Sequence, residues 1–203
     1  MHAVKPRQKR TQKRRRDILS ASLRCFLQHG VDAATIEQIR HGSGASAGSI
    51  YHHFGSKQGI AVALYVEGQQ ELAEVFRNAM VGQDSLREGI GAIIGGYCRW
   101  VADNPDWAMY LLRVATADLS DTDAAAISDI IRQIRDDLIA WLRPFAERGE
   151  LADLPEDLYT SVVHGGSSHF ARHWLAGRQE IELTAAAAHL AESTYRALTS
   201  LRL

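Results

Sequence analysis

Apolar residues recur every three to four positions from about Thr11 to the C-terminus and nowhere settle into a convincing alternation. Such a period puts each apolar stripe on one face of a helix and leaves no strand from which to build a sheet. Ile18, Leu19, Leu23, Phe26 and Leu27 share the first face with the small Ser22, and Gly30 closes the run. Thr35 opens a second helix, with Gln38 three residues on at the spacing of a capping box, and Gly42-Ser43-Gly44 breaks it. Ser46 caps a very short third helix carrying Ile50 and Phe54, which Gly55-Ser56 stops, and a long fourth runs to about Met80. Ser85 and Glu88 form a second capping box before a stripe that lasts until Asn104-Pro105. Pro105 suits the first turn of a helix to about Leu119. Asp121 to about Arg148, with Pro144 kinking or ending it, Pro155 to Gly177 and Leu183 to Leu201 complete the set. The expected fold is all-α, about nine helices with short connections.

The 203 residues are 46% hydrophobic and 23% charged, enough to bury a substantial core without staples. Two cysteines, Cys25 and Cys98, are too few and too far apart for a disulfide framework, which points to a reducing compartment. The longest uncharged apolar run, Gly89 to Cys98, is about half of the ~20 residues a membrane span requires. Asp17 and Arg24 interrupt the segment that a secretory signal would keep apolar, so the expectation is a cytoplasmic protein with no membrane association. The net charge of −1 conceals a strong asymmetry: residues 1–60 hold eleven basic against three acidic side chains, and the rest of the chain is correspondingly acidic. A basic end suits a polyanion, and an acidic body suits some other task.

Three short helices, two of them separated by a glycine-containing turn and the whole preceded by basic residues, make a helix-turn-helix unit. Its short second helix can enter a major groove only if its partner braces it, and Ile36, Ile39, Ile50 and Phe54 supply apolar contacts for that brace. Tyr51 and His52 then point outward toward phosphates or base edges, Ser49, His53 and Lys57 can clamp the backbone, and the helix N-terminus at Ser46–Ser49 favours a phosphate.

Other patterns in the chain have simpler explanations than chemistry. Gly44-Ala45-Ser46-Ala47-Gly48 has the spacing of a hydrolase nucleophile elbow, but that elbow follows a strand and here a helix precedes it. His169 and His173 have metal-ligand spacing, yet two histidines without a third ligand do not make a site. No metal and no cofactor are expected.

The string Gly48-Ser49-Ile50-Tyr51-His52-His53-Phe54 followed by Ser56-Lys57, behind Thr35-Ile-Glu-Gln-Ile-Arg, resembles the TetR family of bacterial transcriptional regulators over roughly residues 11–65. The resemblance implies a homodimer with an N-terminal DNA-binding unit and a C-terminal ligand-binding and dimerisation domain. On this sequence the divisions would be a disordered basic arm at 1–10, the helix-turn-helix domain at 11–55 and the ligand-binding domain at 56–203. It also implies that Ala47, Gly48 and Tyr51 lie nearest the bases, and Thr35, Ser49, His52, His53 and Lys57 nearest phosphates. Arg40 stands where the family commonly has alanine, and Ala47 and Gly48 lack hydrogen-bonding side chains, so specificity would lean on Tyr51, the arm and DNA shape.

The acidic body is dense in aromatic residues, which either form a core or line a cavity between helices. Tyr97, Trp100, Trp107, Tyr110, Trp141, Phe170 and Trp174 are the candidate lining, with Arg113, His164 and His169 as polar anchors for a mostly apolar small-molecule inducer. Small residues permit close helix approach at Gly165, Gly166 and Ser168, and Ala187, Leu190 and Leu198 of the last helix complete a candidate four-helix dimer interface. The expected function is a non-enzymatic regulator, a repressor that binds a palindromic DNA operator and is released by that ligand. Rival readings are a helical hydrolase using Ser46 or Ser168-His169, a metal protein using His164, His169 and His173, and a non-specific nucleic-acid binder.

Overall fold

The computed structural model describes residues 6–113 and 121–200, and among these it holds nine α-helices and no strand. In order they are α1 (Pro6–His29), α2 (Ile36–Ser43), α3 (Ala47–Phe54), α4 (Lys57–Met80), α5 (Leu86–Asp103), α6 (Pro105–Arg113), α7 (Asp121–Glu147), α8 (Glu156–Leu175) and α9 (Leu183–Ser200). The all-α expectation therefore holds, and the capping signals fall where the sequence puts them. Thr35 and Gln38 close a complete capping box on α2, and Ser46 and Ser85 accept backbone N–H groups of Ser49 and Glu88.

Two boundaries differ from the periodicity. α1 starts at Pro6 rather than near Thr11, because Pro at a first helical position followed by Arg, Gln and Lys is a good helix start even without an apolar face. Residues 6–10 thus belong to a helix, while residues 1–5 of the proposed arm lie outside the described residues. Pro144 does not end α7, which continues to Glu147. The expected end of α6 near Leu119 also falls outside the described residues.

The chain divides into two compact units, one of Met1–Gly68 with Met109–Ile127 and one of Gln69–Ala108 with Ser128–Leu203. The first unit thus runs beyond residue 55 and includes the start of α4. Its core contains Ile18, Leu19, Leu23 and Phe26 of α1 with Ile39, Ile50, Ile60 and Leu64. Ser22 is buried because its hydroxyl donates to Ile18 O at 2.8 Å, which satisfies the group within its own helix. Tyr110 stacks on Phe26 with ring centres 6.3 Å apart and donates its hydroxyl to Ala61 O at 2.9 Å.

In the second unit α5, α8 and α9 pack on one another around Ile90, Ile93, Ile94, Val163, Leu183 and Leu198. Gly89 of α5 seats the Trp141 ring so closely that an added Cβ would lie 2.1 Å from Cζ2. The free thiols Cys25 and Cys98 are both buried, one in each unit, and burial pushes Cys98 up to about 11.

Candidate nucleic-acid interface

The turn between α2 and α3 is set by Gly44, whose φ of 62° is left-handed and whose N–H donates to Arg40 O at 3.0 Å. Ala45 is buried just after it, and Ser46 begins α3. Ile50 is 1% exposed and fastens the short helix to its unit. The opposite face is open: Gly48, Tyr51 and His52 are exposed, Tyr51 at 52%, and nothing lies within 4 Å of a Cβ built on Gly48. Their three- to four-residue spacing makes them one stripe. Ala47 and Ser49 are half-buried beside it, and Ser46 is exposed at its N-terminus.

The phosphate candidates turn out to be unequal. Thr35 is exposed, but its hydroxyl is engaged with Gln38, accepting from the backbone N and donating to Oε1 at 3.0 Å. His53 is half-buried, and desolvation, then His52, Arg15 and Arg14, hold its pKa below the ordinary imidazole range. A neutral imidazole donates through one nitrogen only. Lys57 departs furthest from a free phosphate clamp: its Nζ donates to Asp32 O at 2.6 Å and Ala34 O at 2.9 Å, tying the α1–α2 turn to the start of α4. One of its three N–H groups is left for a phosphate.

Residues that the linear reading passed over shape this surface. Arg14 Nη1 donates to Gly44 O at 3.1 Å, and the Arg15 guanidinium lies 5.3 Å from the centre of the Phe54 ring while pairing with Glu67. Lys13 pairs with Asp17 at 3.0 Å and Arg40 with Glu37 at 2.5 Å, so part of the basic excess is neutralised within the chain. The helix spacings of Lys13–Asp17 and Glu37–Arg40 were signals for these two pairs; nothing local signalled the contacts spanning 30 or 52 residues.

A model described as bacterial regulatory proteins, tetR family, matches residues 18–64, the stretch that contains this braced helix pair. The HTH-type transcriptional repressor Rv1474c of Mycobacterium tuberculosis is 31% identical over 144 residues, a match that takes in 62% of this chain and 71% of that one. The chain belongs to the TetR family. Another member, the repressor AcnR of Corynebacterium glutamicum, is 41% identical over 61 residues, but that match takes in 30% of this chain and 32% of AcnR. Among solved structures, the fatty acid degradation regulator FadR from Bacillus halodurans shares the fold, with a TM-score of 0.78 at 18% identity, over 92% of this chain and 99% of that one. FadR from Bacillus subtilis, solved in complex with stearoyl-CoA, has a TM-score of 0.77 at 18% identity, over 90% and 98%.

The residues expected to line a pocket in this TetR-family chain do not all fall in one unit. Tyr110 and the exposed Arg113 belong to the first. In the second, Phe76 packs against Tyr97 with ring centres 6.4 Å apart and against His164 at 4.7 Å, and Trp100 Nε1 donates to Glu71 at 3.4 Å. Trp107, Phe170 and Trp174 are half-buried. Trp141 packs edge-on to Phe145, and its Nε1 and the Thr160 hydroxyl are buried polar atoms without a hydrogen-bond partner. His169 is exposed with its ring 4.6 Å from that of His173, and no group of three or more metal-binding side chains occurs among the described residues. Nor is any described helix long and apolar enough to cross a membrane.

Of the residues expected at a dimer surface, Gly165 and Gly166 are exposed with nothing within 4 Å of an added Cβ. Ser168, Ala187 and Leu190 are half-buried. Leu198 is the exception: it is 0% exposed in the core of its own chain and has no surface to offer a second copy.

Proposed function

We propose that this chain is a transcriptional repressor that binds a pseudo-palindromic DNA operator as a homodimer, inserting α3 into successive major grooves, and that a small, mostly apolar ligand in the second unit releases it. The observation that carries this reading is the exposed Gly48-Tyr51-His52 stripe on a helix whose other face is anchored by Ile50. Gly48 lets the backbone come close to base edges, and Tyr51 brings a hydroxyl and a ring. The α3 N-terminus behind Ser46 and the remaining donor of Lys57 would hold phosphates, with Thr35, Ser49, His52 and His53 beside them.

The open glycine surface of α8, together with the half-buried Ser168 on α8 and Ala187 and Leu190 on α9, supports association of two copies, and two linked heads are what half-sites about one helical turn apart require. The partnerless Trp141 Nε1 supports a ligand that carries an acceptor atom on an otherwise apolar body, with Tyr97, Trp100, Trp107, His164, Phe170 and Trp174 of the same unit as candidate neighbours. No reaction is needed for this task. Selection of bound fragments from random duplex DNA tests the reading: a recovered inverted repeat supports it, and recovery of unrelated sequences alone refutes it.

A further inference from the structure

Adjacent arginines of α1 reach the two ends of α3. Arg14 donates to Gly44 O in the turn from which α3 starts. Arg15 lays its guanidinium against Phe54, the last residue of α3, and donates to the carboxylate of Glu67 on α4. The Arg15 and Glu67 side chains are 38% and 29% exposed, and desolvation lowers the Arg15 pKa, as expected for a cation drawn into the unit.

We propose that Arg14 and Arg15, with Glu67 as the anchor of Arg15, are positioning residues that aim α3 at the bases, although by composition they look like phosphate contacts. The inference rests on the proposed role of α3 as the reading helix. An eight-residue helix does not hold its own orientation, and its apolar contacts through Ile50 and Phe54 fix how deep it sits more than how it tilts. A hydrogen bond at one end and a cation–π contact backed by an ion pair at the other fix the tilt. Phosphate contacts tolerate a small tilt because salt and long side chains blur them, whereas base-edge hydrogen bonds depend steeply on angle. Misaiming therefore erodes discrimination between sequences more than affinity for DNA as such.

The two roles predict opposite behaviour at Glu67. The full chain and its Arg14→Gln, Arg15→Gln, Arg15→Lys and Glu67→Gln variants are titrated with a selected fragment and an unrelated duplex of equal length, between about 50 and 200 mM salt. For positioning residues, Arg14→Gln, Arg15→Gln and Glu67→Gln lower the preference for the selected fragment about tenfold or more, and the slope of log affinity against log salt on the unrelated duplex stays at the wild-type value. Arg15→Lys, which keeps the charge but not the planar face, recovers part of the preference. The proposal is overturned if Arg15→Gln flattens that slope by about 0.9 on both duplexes, or if Glu67→Gln, by freeing the guanidinium, tightens both. Should Arg15→Gln not fold, Glu67→Gln, which leaves α1 untouched, still decides between the two. Wild-type protein that shows no preference between fragments rejects α3 as a reading helix before any variant is made.

Discussion

Lys57 commits two of its three donors to the carbonyls of Asp32 and Ala34, and this changes what its removal should do. Lys57→Ala should lower stability by about 1–3 kcal/mol, read as a fall in the thermal midpoint by far-ultraviolet circular dichroism, because two carbonyls lose a charged donor. An unchanged midpoint would show that the strut is dispensable. Tyr51→Ala should leave the midpoint nearly alone, since the residue is 52% exposed, yet cost the selected DNA fragment about 1–3 kcal/mol of preference over an unrelated duplex. His164 gives the second unit a pH dependence. Burial beside Phe76 depresses its pKa from 6.5 to about 4, so between these values the unfolded chain takes up a proton that the folded chain refuses. Its contribution is fully present above about pH 6.5 and is lost toward pH 4, by up to about 3 kcal/mol. Denaturant unfolding of His164→Gln should be flatter across that range than wild type, and parallel curves would contradict the assignment.

At the scale of helices, the glycines of α5 and α8 make contrasting predictions from the same residue type. Gly89→Ala gains helix propensity but drives a methyl into the Trp141 ring, and should destabilise by about 1–3 kcal/mol in denaturant unfolding. Gly166→Trp enters open space, so the monomer should fold as before while sedimentation velocity shows the dimer lost; a dimer that survives would move the interface elsewhere. The helices themselves were legible because caps and stop glycines act within four residues, as in the complete capping box at Thr35–Gln38 and at Ser85, where the serine accepts the Glu88 N–H without the return bond of the expected box. The outward placing of Tyr51 and His52 on α3 was legible for the same reason, their spacing from Ile50 being local, whereas Gly48 entered only through the family resemblance. The struts were not: Lys57 meets Asp32 across 25 residues and Arg15 meets Glu67 across 52, and a basic side chain looks alike in sequence whether it faces a phosphate or a carbonyl of its own chain. Leu198 shows the same limit, since periodicity marks a helix face as apolar without saying whether the chain itself or a second copy covers it.

For the whole molecule, the proposed switch is a coupling between two binding events. A ligand coupling of about 1–3 kcal/mol weakens operator binding about 5- to 150-fold, and operator DNA must weaken ligand binding by the same factor. Trp100, Trp107, Trp141 and Trp174 all belong to the second unit, so their emission should report the ligand, and a compound whose affinity is unchanged by saturating operator is not the inducer. The two buried thiols extend this to time. A thiol-reactive probe can label Cys98, which is 0% exposed, only when the surrounding helices part, whereas Cys25, 8% exposed beside Gln38 of α2, is reached more readily and faster still when α1 and α2 part; each sulfur belongs to a different unit. The chain therefore carries two native clocks, one for the breathing of each half. If DNA grips the first unit and the ligand the second, operator should slow the Cys25 clock, ligand the Cys98 clock, and any crossover between them would be the switch observed in motion.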